Sequence, residues 1–299
     1  MDPARRRDRM LVVGAAGMFG HMACRALRDD FDLYATCRGA WADDAGLHDI
    51  IDRDRCTDRC DVTDGARMQA VLREVGPAFV LNGVGVIKQK SGADDPVRSI
   101  AVNALFPHQL AEWCAAEGAK LVQIGTDCVF SGARGGYRET DTPDPSDLYG
   151  RSKLLGEVSA PPHLTLRTSM IGRQLCGREG LLEWFIGQRG GRVRGFRRAV
   201  FSGLTTRALC GVIGRVLRDA PGLSGIYHVA AAPISKHELL TRINELMALE
   251  VRIEADDAFA CNRSLDGGLF LRDSGVAVPS WTSMLEELAN DHHYARSLV

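Results

Sequence analysis

The sequence predicts an α/β protein with a doubly wound, Rossmann-type parallel sheet and a smaller C-terminal lobe. Short, almost continuously apolar segments alternate with helical segments in the first part of the chain, a pattern typical of parallel strands buried on both faces. A glycine-rich turn follows the first of these strands. Beyond about residue 172 the alternation gives way to arginines, glycines and loops, which indicates a separate lobe.

The first strand, MLVV, leads into the glycine turn and a helix that continues through His21–Leu27. The next predicted strands are, in order, Asp32–Gly39, a short extended piece ending at Asp61 and Val62, Ala78–Val84, Leu121–Thr126 and Leu164–Met170. The predicted helices between them are the later part of residues 61–76, Pro96–Gly118 and Tyr149–Val158. A helix over Thr205–Leu217, a strand over Gly225–Ala230, a helix over Ser235–Leu249 and an irregular stretch ending in PSWTSMLEEL complete the chain.

The composition of the chain bears on what kind of molecule the protein binds and on where it is found. The formal net charge of −1 favours neither nucleic acid nor a membrane surface, so we expect a small-molecule partner. The N-terminus lacks the apolar core of a signal peptide and no apolar run reaches membrane-span length, which favours a cytoplasmic protein. The nine cysteines form no CxxC pair or ligand cluster, so reduced thiols are expected and no metal site.

The glycine turn predicts a dinucleotide-binding site. Gly14, Gly17 and Gly20 have GxxGxxG spacing, in which one glycine makes the tight turn, one allows backbone approach to a pyrophosphate and one packs the helix on the strand. Met18 and Phe19 open the helix whose N-terminal N–H groups would receive the phosphates. Because a strand precedes the turn and a helix follows it, the motif is stronger than its spacing alone.

The end of the second strand bears on which cofactor is bound. An NAD site usually places a carboxylate at this strand tip, whereas this chain has Arg38. A guanidinium suits a 2′-phosphate, so NADPH is favoured, with NADH as the alternative. Asn82, Gly83 and Val84 end the fourth strand at the carboxyl edge of the sheet, where such folds bind ligands.

A tyrosine and a lysine supply candidate acid–base chemistry. Tyr149 and Lys153 are four residues apart in YGRSK, about one helical turn, so both project from one helix face. Lowering a phenol pKa from about 10 to about 7 requires about 4 kcal/mol, which a nearby ammonium can supply in a closed site. Thr126 ends the fifth strand at the same sheet edge, so its hydroxyl can meet a substrate oxygen opposite Tyr149.

These fragments resemble the extended branch of the short-chain dehydrogenase/reductase superfamily. The resemblance implies that Tyr149 transfers the proton, that Lys153 lowers its pKa and holds the nicotinamide ribose, and that Thr126 orients the carbonyl. It also implies that Asp61 and Val62 hold the adenine edge and that the strand GIYHVA returns to the main sheet. Asn103 matches a superfamily asparagine, and an ordinary helical polar residue is the alternative.

Within this branch, the stretch IGTDCVFSGARGGYRETDTPDPSDLYGRSKLLGE is similar to dTDP-4-dehydrorhamnose reductases, as are RTSMIGR and FSGLTTRALC. The resemblance implies NADPH-dependent reduction of the 4-keto group of a nucleotide-linked 6-deoxy sugar. The late motif CNRSLDGGLF, which contains Arg263, resembles the family's C-terminal element near the substrate. The expected substrate contacts are therefore Lys88, Thr126, Asp127, Cys128 and Arg263. Two features depart from the family. Cys128 stands where the family usually has an aromatic residue. The loop after the fourth strand usually contains small residues and a tyrosine in the family, whereas this chain has GVGVIKQK.

A nucleotide diphosphate also suits arginines, and we expect one or two of those early in the second lobe to line its pocket. The candidates are Arg173, Arg178, Arg189, Arg192, Arg194, Arg197 and Arg198.

The expected organisation is a flexible basic tail (1–9), an NADP-binding Rossmann domain (10–171, joined by 201–231) and a substrate-binding lobe (172–200 and 232–299). Alternatives are a sugar-nucleotide epimerase or dehydratase that retains its cofactor, and a non-catalytic NADP-binding regulatory subunit. Dehydratases of this branch carry Asp-Glu after the threonine, whereas here Asp127 precedes Cys128. The nucleotide, the sugar and the oligomeric state stay open, with a homodimer as the candidate assembly.

Overall fold

The computed structural model describes residues 7–87, 95–175, 177 and 180–291. The strands, in chain order, are β1 (Arg9–Val13), β2 (Asp32–Thr36), β3 (Cys56–Thr57), β4 (Phe79–Asn82), β5 (Lys120–Ile124), β6 (Leu164–Arg167), β7 (Met170–Ile171), β8 (Arg192–Phe201), β9 (Leu204–Thr205), β10 (Gly225–His228), β11 (Ile234–Ser235) and β12 (Arg252–Asn262). The helices are α1 (Met18–Leu27), α2 (Ala45–His48), α3 (Gly65–Val75), α4 (Pro96–Ser99), α5 (Phe106–Ala116), α6 (Leu148–Leu155), α7 (Leu181–Ile186), α8 (Thr206–Asp219), α9 (Lys236–Met247), α10 (Gly268–Ser274) and α11 (Trp281–Ala289), with a π-helical turn over Ile100–Leu105.

A seven-stranded parallel sheet forms the centre of the molecule, in the order β10-β6-β5-β4-β1-β2-β3. The chain first fills the sheet from β1 towards β3 and then crosses back to β4 on the other side of β1. This reversal leaves a crevice at the carboxyl ends of β1 and β4, where doubly wound folds bind ligands. The predicted fold class is confirmed.

Strand β1 shows why the sheet is buried on both faces. Met10 and Val12 pack into the cluster that includes α1 and α8, whereas Leu11 and Val13 pack into the cluster that includes α3 and α5. All four side chains are fully buried. At roughly 1.5–3 kcal/mol for each fully buried aliphatic side chain, this alternation fixes the position of the strand.

The segment Gly225–His228 pairs in parallel with β6, so it returns to the main sheet as the resemblance implied.

The third strand was placed wrongly: it is Cys56–Thr57, and Asp61 and Val62 follow it in a turn. The cause is a local hydrogen bond, because the Asp61 carboxylate accepts from the backbone N–H of Thr63, an arrangement that competes with strand pairing. Strand β1 begins at Arg9, inside the predicted tail.

A second sheet, of order β11-β8-β12, lies in the region predicted as loops, so that prediction was wrong. Strands β8 and β12 run parallel, with an irregularity between Asp256 and Ala260. Exposed arginines of β8 pair with carboxylates of β12, for example Arg192 with Glu254 at 3.2 Å and Arg194 with Asp256 at 3.2 Å. The four arginines of β8 are thus exposed residues of a strand. The stretch PSWTSMLEEL, predicted to be irregular, contains α11.

Within residues 7–87, 95–175 and 180–291, no helix combines the length and the apolar character that crossing a membrane requires.

Candidate active site

A cleft of about 550 Å³ opens at the carboxyl ends of the central strands. One wall comes from the glycine turn and the residues after β4, and the opposite wall comes from the second sheet. The floor carries the residues after β5 and β6 together with α6. The predicted site residues that line it are Gly17, Met18, Phe19, Asn82, Gly83, Val84, Thr126, Asp127, Cys128, Tyr149, Lys153 and Arg263.

The three glycines of the turn are required for different structural reasons. Gly14 has φ +91°, and a Cβ there would lie 2.6 Å from Val84 Cγ2. A Cβ on Gly20 would lie 2.0 Å from the carbonyl oxygen of Gly14, so only glycine lets α1 pack this closely on the turn. Gly17 is the N-cap of α1 without a capping side chain. Gly14 and Gly20 therefore shape the turn, while Gly17 presents the helix N-terminus to the cleft.

The residues after β4 are held by side-chain hydrogen bonds. Asn82 Nδ2 donates to Gln123 Oε1 at 2.8 Å, and Asn82 Oδ1 accepts from the Val84 backbone N–H at 3.0 Å. Asn82 is buried, so these bonds satisfy it and fix the path of Gly83 and Val84 beside the glycine turn.

Arg38, Asp61 and Val62 do not line the cleft. Arg38 and Asp61 are exposed, and Val62 is buried. Hydrogen bonds from the backbone N–H and the hydroxyl of Thr63 lower the pKa of Asp61, and the charge of Arg38 lowers it further. The structure therefore places Arg38 and Asp61 near each other at the ends of β2 and β3, beyond the rim of the cleft.

Tyr149 and Thr126 lie together on the cleft floor. The phenol hydrogen-bonds the Thr126 side chain, while burial is the main cause that raises the pKa of Tyr149 above its usual 10. Thr126 Oγ1 also accepts from the Cys128 backbone N–H at 3.1 Å, which fixes its rotamer. Both hydroxyls therefore lie on the same part of the cleft lining.

Lys153 has a different partner from the expected one. Its Nζ donates to the Ile124 carbonyl oxygen at 2.7 Å, so the ammonium is bound to the end of β5. Burial lowers the pKa of Lys153 to about 8, and the Glu157 carboxylate opposes that shift. Burial of the phenol is the largest influence on the Tyr149 pKa, so the net shift is upward, opposite to the net lowering that the sequence predicted.

Two glycines place α6 against the rest of the site. A Cβ on Gly150 would lie 2.3 Å from the Cys128 carbonyl oxygen, and one on Gly156 would lie 1.9 Å from the Asn103 carbonyl oxygen. Asn103 bonds the backbone N–H and carbonyl of Val86, at 2.8 and 3.0 Å, and Ser152 Oγ at 3.1 Å. The asparagine thus joins the cleft wall after β4 to the helix of Tyr149 and Lys153.

Another part of the cleft lining comes from the end of β12. Phe259 and Cys261 of β12 and Arg263, which directly follows the strand, all line the cleft, as alternate residues of an extended chain can. Arg263 Nε donates to the Phe130 carbonyl oxygen at 2.9 Å, which fixes the guanidinium beside Asp127 and Cys128. Lys88, the remaining predicted substrate contact, lies outside the described residues.

Sequence reasoning missed several cleft residues, of which Lys236 carries charge. It lies in the first turn of α9, where the helix dipole disfavours a cation. No other residue in the described part of the chain hydrogen-bonds or ion-pairs with its amine. The only sequence signal was a lysine directly after a helix N-cap. The other missed residues include Thr168, Ser169, Gln174, Phe201 and Phe259.

The arginine-rich segment does not supply cleft residues among its described members. Arg173 is buried in an ion pair with Glu183 at 2.6 Å, and Arg189 bonds the Ala248 carbonyl oxygen at 2.9 Å. Arg197 pairs with Asp257 on β12, and Arg198 is exposed. Arg178 lies outside the described residues. Instead, Arg263 and Lys236 line the cleft.

Among the described residues, no group of three or more His, Cys, Asp or Glu side chains is arranged to hold a metal ion. The eight cysteines of this part of the chain are free thiols.

A family model described as RmlD substrate binding domain matches residues 8–180. The chain is 30% identical over 178 residues to a dTDP-4-dehydrorhamnose reductase of Mycobacterium tuberculosis, covering 56% of this chain and 52% of that protein. It is 36% identical over 152 residues to the dTDP-4-dehydrorhamnose reductase of Streptomyces griseus, covering 50% of this chain and 44% of that protein. The chain therefore spans about half the length of the curated relatives it matches.

The fold extends further than these alignments. The crystal structure of a dTDP-4-dehydrorhamnose reductase from Bacillus anthracis in complex with NADP superposes with a TM-score of 0.76 at 23% identity, covering 94% of this chain and 98% of that one. The family match covers more than half of the sequence and includes the glycine turn, Thr126, Tyr149 and Lys153. The chain belongs to the RmlD substrate binding domain family.

Proposed function

We propose that this protein is an NADPH-dependent reductase of the 4-keto group of a nucleotide-linked 6-deoxy sugar, similar in activity to dTDP-4-dehydrorhamnose reductases. The observation that carries the proposal is the hydrogen-bonded pair of Thr126 and Tyr149 on the cleft floor, with Lys153 one helical turn away and the glycine turn on the facing wall. The arrangement supports the proposal because two neighbouring hydroxyl groups could donate to a ketone oxygen as it gains negative charge.

Thr126, Tyr149 and Lys153 would each have a separate role in reducing a ketone. Thr126 and Tyr149 donate hydrogen bonds to the carbonyl oxygen, and the Tyr149 proton passes to that oxygen as the C–H bond forms at carbon. The phenol stays protonated at neutral pH because burial keeps its pKa high, so it is ready to act as the acid. The charged Lys153 favours the phenolate that remains after transfer.

The dinucleotide fits the wall made by the glycine turn. Gly17, Met18 and Phe19 would hold the pyrophosphate at the N-terminus of α1, and Asn82 to Val84 would border the nicotinamide half. When bound, NADPH supplies the hydride. Arg38 is exposed at the end of β2, free to swing towards a 2′-phosphate, with Asp61 and Val62 near the adenine.

The substrate side suits a sugar nucleotide diphosphate. Arg263 and Lys236 supply positive charge, and Phe259, which is 50% exposed, offers an aromatic face. Asp127 and Cys128 border the position of the sugar next to Tyr149.

The direct test is Tyr149→Phe, assayed by NADPH oxidation at 340 nm. We expect the variant to bind NADPH with an unchanged Kd and to lose about 10²- to 10⁴-fold in kcat, the usual contribution of a positioned acid. A Tyr34→Phe variant, outside the cleft, is the control. Turnover that persists in Tyr149→Phe contradicts the proton route.

Thymidine, uridine, guanosine and cytidine diphospho-4-keto-6-deoxy sugars, tested in the same assay, would name the nucleotide and the sugar. Stoichiometric consumption of NADPH distinguishes a reductase from an epimerase or dehydratase that regenerates its cofactor. Binding of NADPH without oxidation by any of these ketones would favour the regulatory-subunit alternative.

We also propose that residues 10–171 and 201–231 form the dinucleotide-binding unit and that residues 172–200 and 232–299 form the substrate-binding lobe. The pairing of β10 with β6 and the second sheet of β8, β11 and β12 support this division.

A homodimer is proposed through the α4–α6 face. Val97, Ile100, Leu105 and Leu155 are large apolar side chains with exposed fractions of 76, 50, 52 and 65% on neighbouring helical segments. Apolar patches of this kind mark interfaces, and pairing with a second copy would bury the patch on both chains. Light scattering of the wild type should give twice the chain mass, and Leu155→Glu should give a monomer.

A further inference from the structure

A loop after β5, residues 130–137, is docked against the chain where β12 ends. The backbone N–H of Asn262 donates to the Gly132 carbonyl oxygen at 2.7 Å. Two positions further along, the Ser264 carbonyl oxygen accepts from the backbone N–H of Tyr137 at 3.0 Å. These bonds join two segments that are more than 120 residues apart in the sequence, and we call residues 130–137 the docked loop.

The docked loop also binds the side chain of Arg263, which lines the cleft. Arg263 Nε donates to the Phe130 carbonyl oxygen at 2.9 Å, while the Arg263 backbone N–H donates to the Val200 carbonyl oxygen of β8 at 2.9 Å. The Phe130 ring is fully buried and stacks on the Tyr137 ring, with the ring centroids 4.2 Å apart. The place of the guanidinium in the cleft therefore depends on how the docked loop sits against the end of β12.

The hydroxyl of Ser264 connects the two segments. Ser264 is only 3% exposed, and its Oγ accepts from the Gly136 backbone N–H of the docked loop at 2.9 Å. The same Oγ donates to Asn262 Oδ1 at 2.8 Å. Asn262 Oδ1 also accepts from the Ser264 backbone N–H at 3.1 Å. Removing this hydroxyl would take away the Gly136 acceptor and one of the donors to Asn262, a costly change in a buried position.

The contact around Asn262 leaves little free space. A Cβ on Gly135 would lie 2.2 Å from Asn262 Nδ2, so the docked loop packs directly on the amide that Ser264 orients. Ser264 itself is absent from the lining of the cleft among the described residues. An effect of Ser264 on a ligand in the cleft would therefore pass through a neighbour, and Arg263 is the adjacent residue that reaches the cleft.

We propose that Ser264 is a positioning residue whose hydroxyl, by holding the docked loop, fixes the Arg263 guanidinium for the diphosphate of a nucleotide-linked substrate. The inference rests on the proposed role of Arg263 as a substrate contact. A guanidinium binds phosphate oxygens through directional, charge-assisted hydrogen bonds, so its orientation matters as well as its charge. Without the Ser264 hydroxyl, the guanidinium has more freedom, and binding must restrict it again.

The test is a double-mutant cycle on nucleoside diphosphate binding, measured by calorimetric titration. Thymidine, uridine, guanosine and cytidine diphosphates are compared, and the cycle uses the one that the wild type binds most tightly. We expect Ser264→Ala to raise the Kd about fivefold and Arg263→Ala to raise it about 10- to 100-fold. In Ser264→Ala/Arg263→Ala the serine substitution should add nothing, because its effect passes through the guanidinium. The NADPH Kd should not change in any variant.

The matched control is Ser274→Ala, away from the cleft. The Ser274 hydroxyl also makes one bond of each kind: it donates to the Phe270 carbonyl oxygen at 2.6 Å and accepts from the Val276 backbone N–H at 3.0 Å. Its loss should leave the diphosphate Kd unchanged.

An unchanged Kd in folded Ser264→Ala overturns the proposal, as does a serine effect of equal size with and without Arg263. An unchanged Kd in Arg263→Ala, or no binding of any of the four diphosphates, overturns it as well, because the guanidinium would then not hold this group. If Ser264→Ala does not fold, Asn262→Ala removes the acceptor of the same hydrogen bond and takes its place in the cycle, with the same outcomes.

A second readout separates positioning from a loss of stability. With a ketone substrate, Ser264→Ala should raise KM about fivefold and leave kcat nearly unchanged. A lower melting temperature with an unchanged KM and an unchanged diphosphate Kd would overturn the proposal. Failure of all keto sugars to oxidise NADPH would contradict the reductase proposal, and the binding cycle would still decide the role of Ser264.

Discussion

The two walls of the cleft are built in different ways. The wall that we propose for the cofactor, the cofactor wall, consists of backbone at strand ends, shaped by Gly14 and Gly20 within one short turn. The wall that we propose for the substrate, the substrate wall, consists of side chains from distant parts of the chain, including Lys236 from α9, Phe259 from β12 and Arg263 directly after β12. Under the proposed function a dinucleotide would contact a rigid local motif, and the substrate an assembled surface.

This difference indicates where mutations should act. Changes on the cofactor wall disturb backbone packing and should alter stability or dinucleotide affinity. Changes on the substrate wall remove individual side chains and should alter substrate affinity alone. The predictions below run from the largest expected effect to the smallest.

Gly20→Ala is expected to cost about 3 kcal/mol or more of unfolding free energy, because the new Cβ would lie 2.0 Å from the Gly14 carbonyl oxygen and backbone must shift. Urea unfolding measures the loss. The control is Gly211→Ala in α8, where a Cβ meets nothing within 4 Å and helix propensity should raise stability by up to about 1 kcal/mol. Equal effects in the two variants would contradict the close packing of α1 on the turn.

Arg38→Ala should weaken NADPH binding about 10- to 100-fold and leave NADH binding nearly unchanged, since a charge-assisted contact to a 2′-phosphate contributes about 1.5–3 kcal/mol. Fluorescence titration with each dinucleotide measures this. Arg73→Ala, at the exposed end of α3, is the control. An equal loss of affinity for NADPH and NADH would show that Arg38 does not bind the 2′-phosphate.

The pH dependence follows from Lys153, whose pKa of about 8 lies within the working range. In the proposed mechanism the protonated amine is the active form, so kcat/KM should be constant below this pKa and fall about tenfold for each pH unit above it. Initial rates between pH 6 and 10, with NADPH and ketone well below saturation, give the profile. A profile that rises through this range would indicate that the neutral amine is active.

Lys236→Ala should raise the Kd of a free nucleoside diphosphate about fivefold, a modest effect because the amine is partly solvated and screened. Calorimetric titration with thymidine diphosphate measures it, and the NADPH Kd should not change. Arg192→Ala, on the exposed face of β8, is the control. A loss confined to NADPH would place Lys236 on the cofactor side.

The same contrast explains what the sequence could predict. The glycine turn and the spacing of Tyr149 and Lys153 are local patterns, and Thr126 was located because it ends an apolar strand. The register of parallel strands then brings these pieces to one edge, and the structure does so.

The second sheet escaped prediction for a physical reason. Strands β8 and β12 pair in parallel across about 60 residues of sequence, and their exposed faces carry charged residues that read as loops. The charged residues of these two strands come together only when the chain folds, so the sequence does not show which of them pair; Arg194 and Asp256, at 3.2 Å, are an example. The bond from Lys153 to the Ile124 carbonyl was equally hidden, since a backbone acceptor leaves no signal in a sequence.

The contact of Gly150 with the Cys128 carbonyl has a consequence for evolution. It sets the spacing between the phenol and the threonine hydroxyl through main-chain packing, which most neighbouring side-chain replacements leave intact. Under the proposed function, substitutions at Cys128, Phe259 or Lys236 would change which sugar is accepted while Thr126, Tyr149 and Lys153 keep their places. Gly150 and Gly156, which flank Lys153, would then persist together with those three residues.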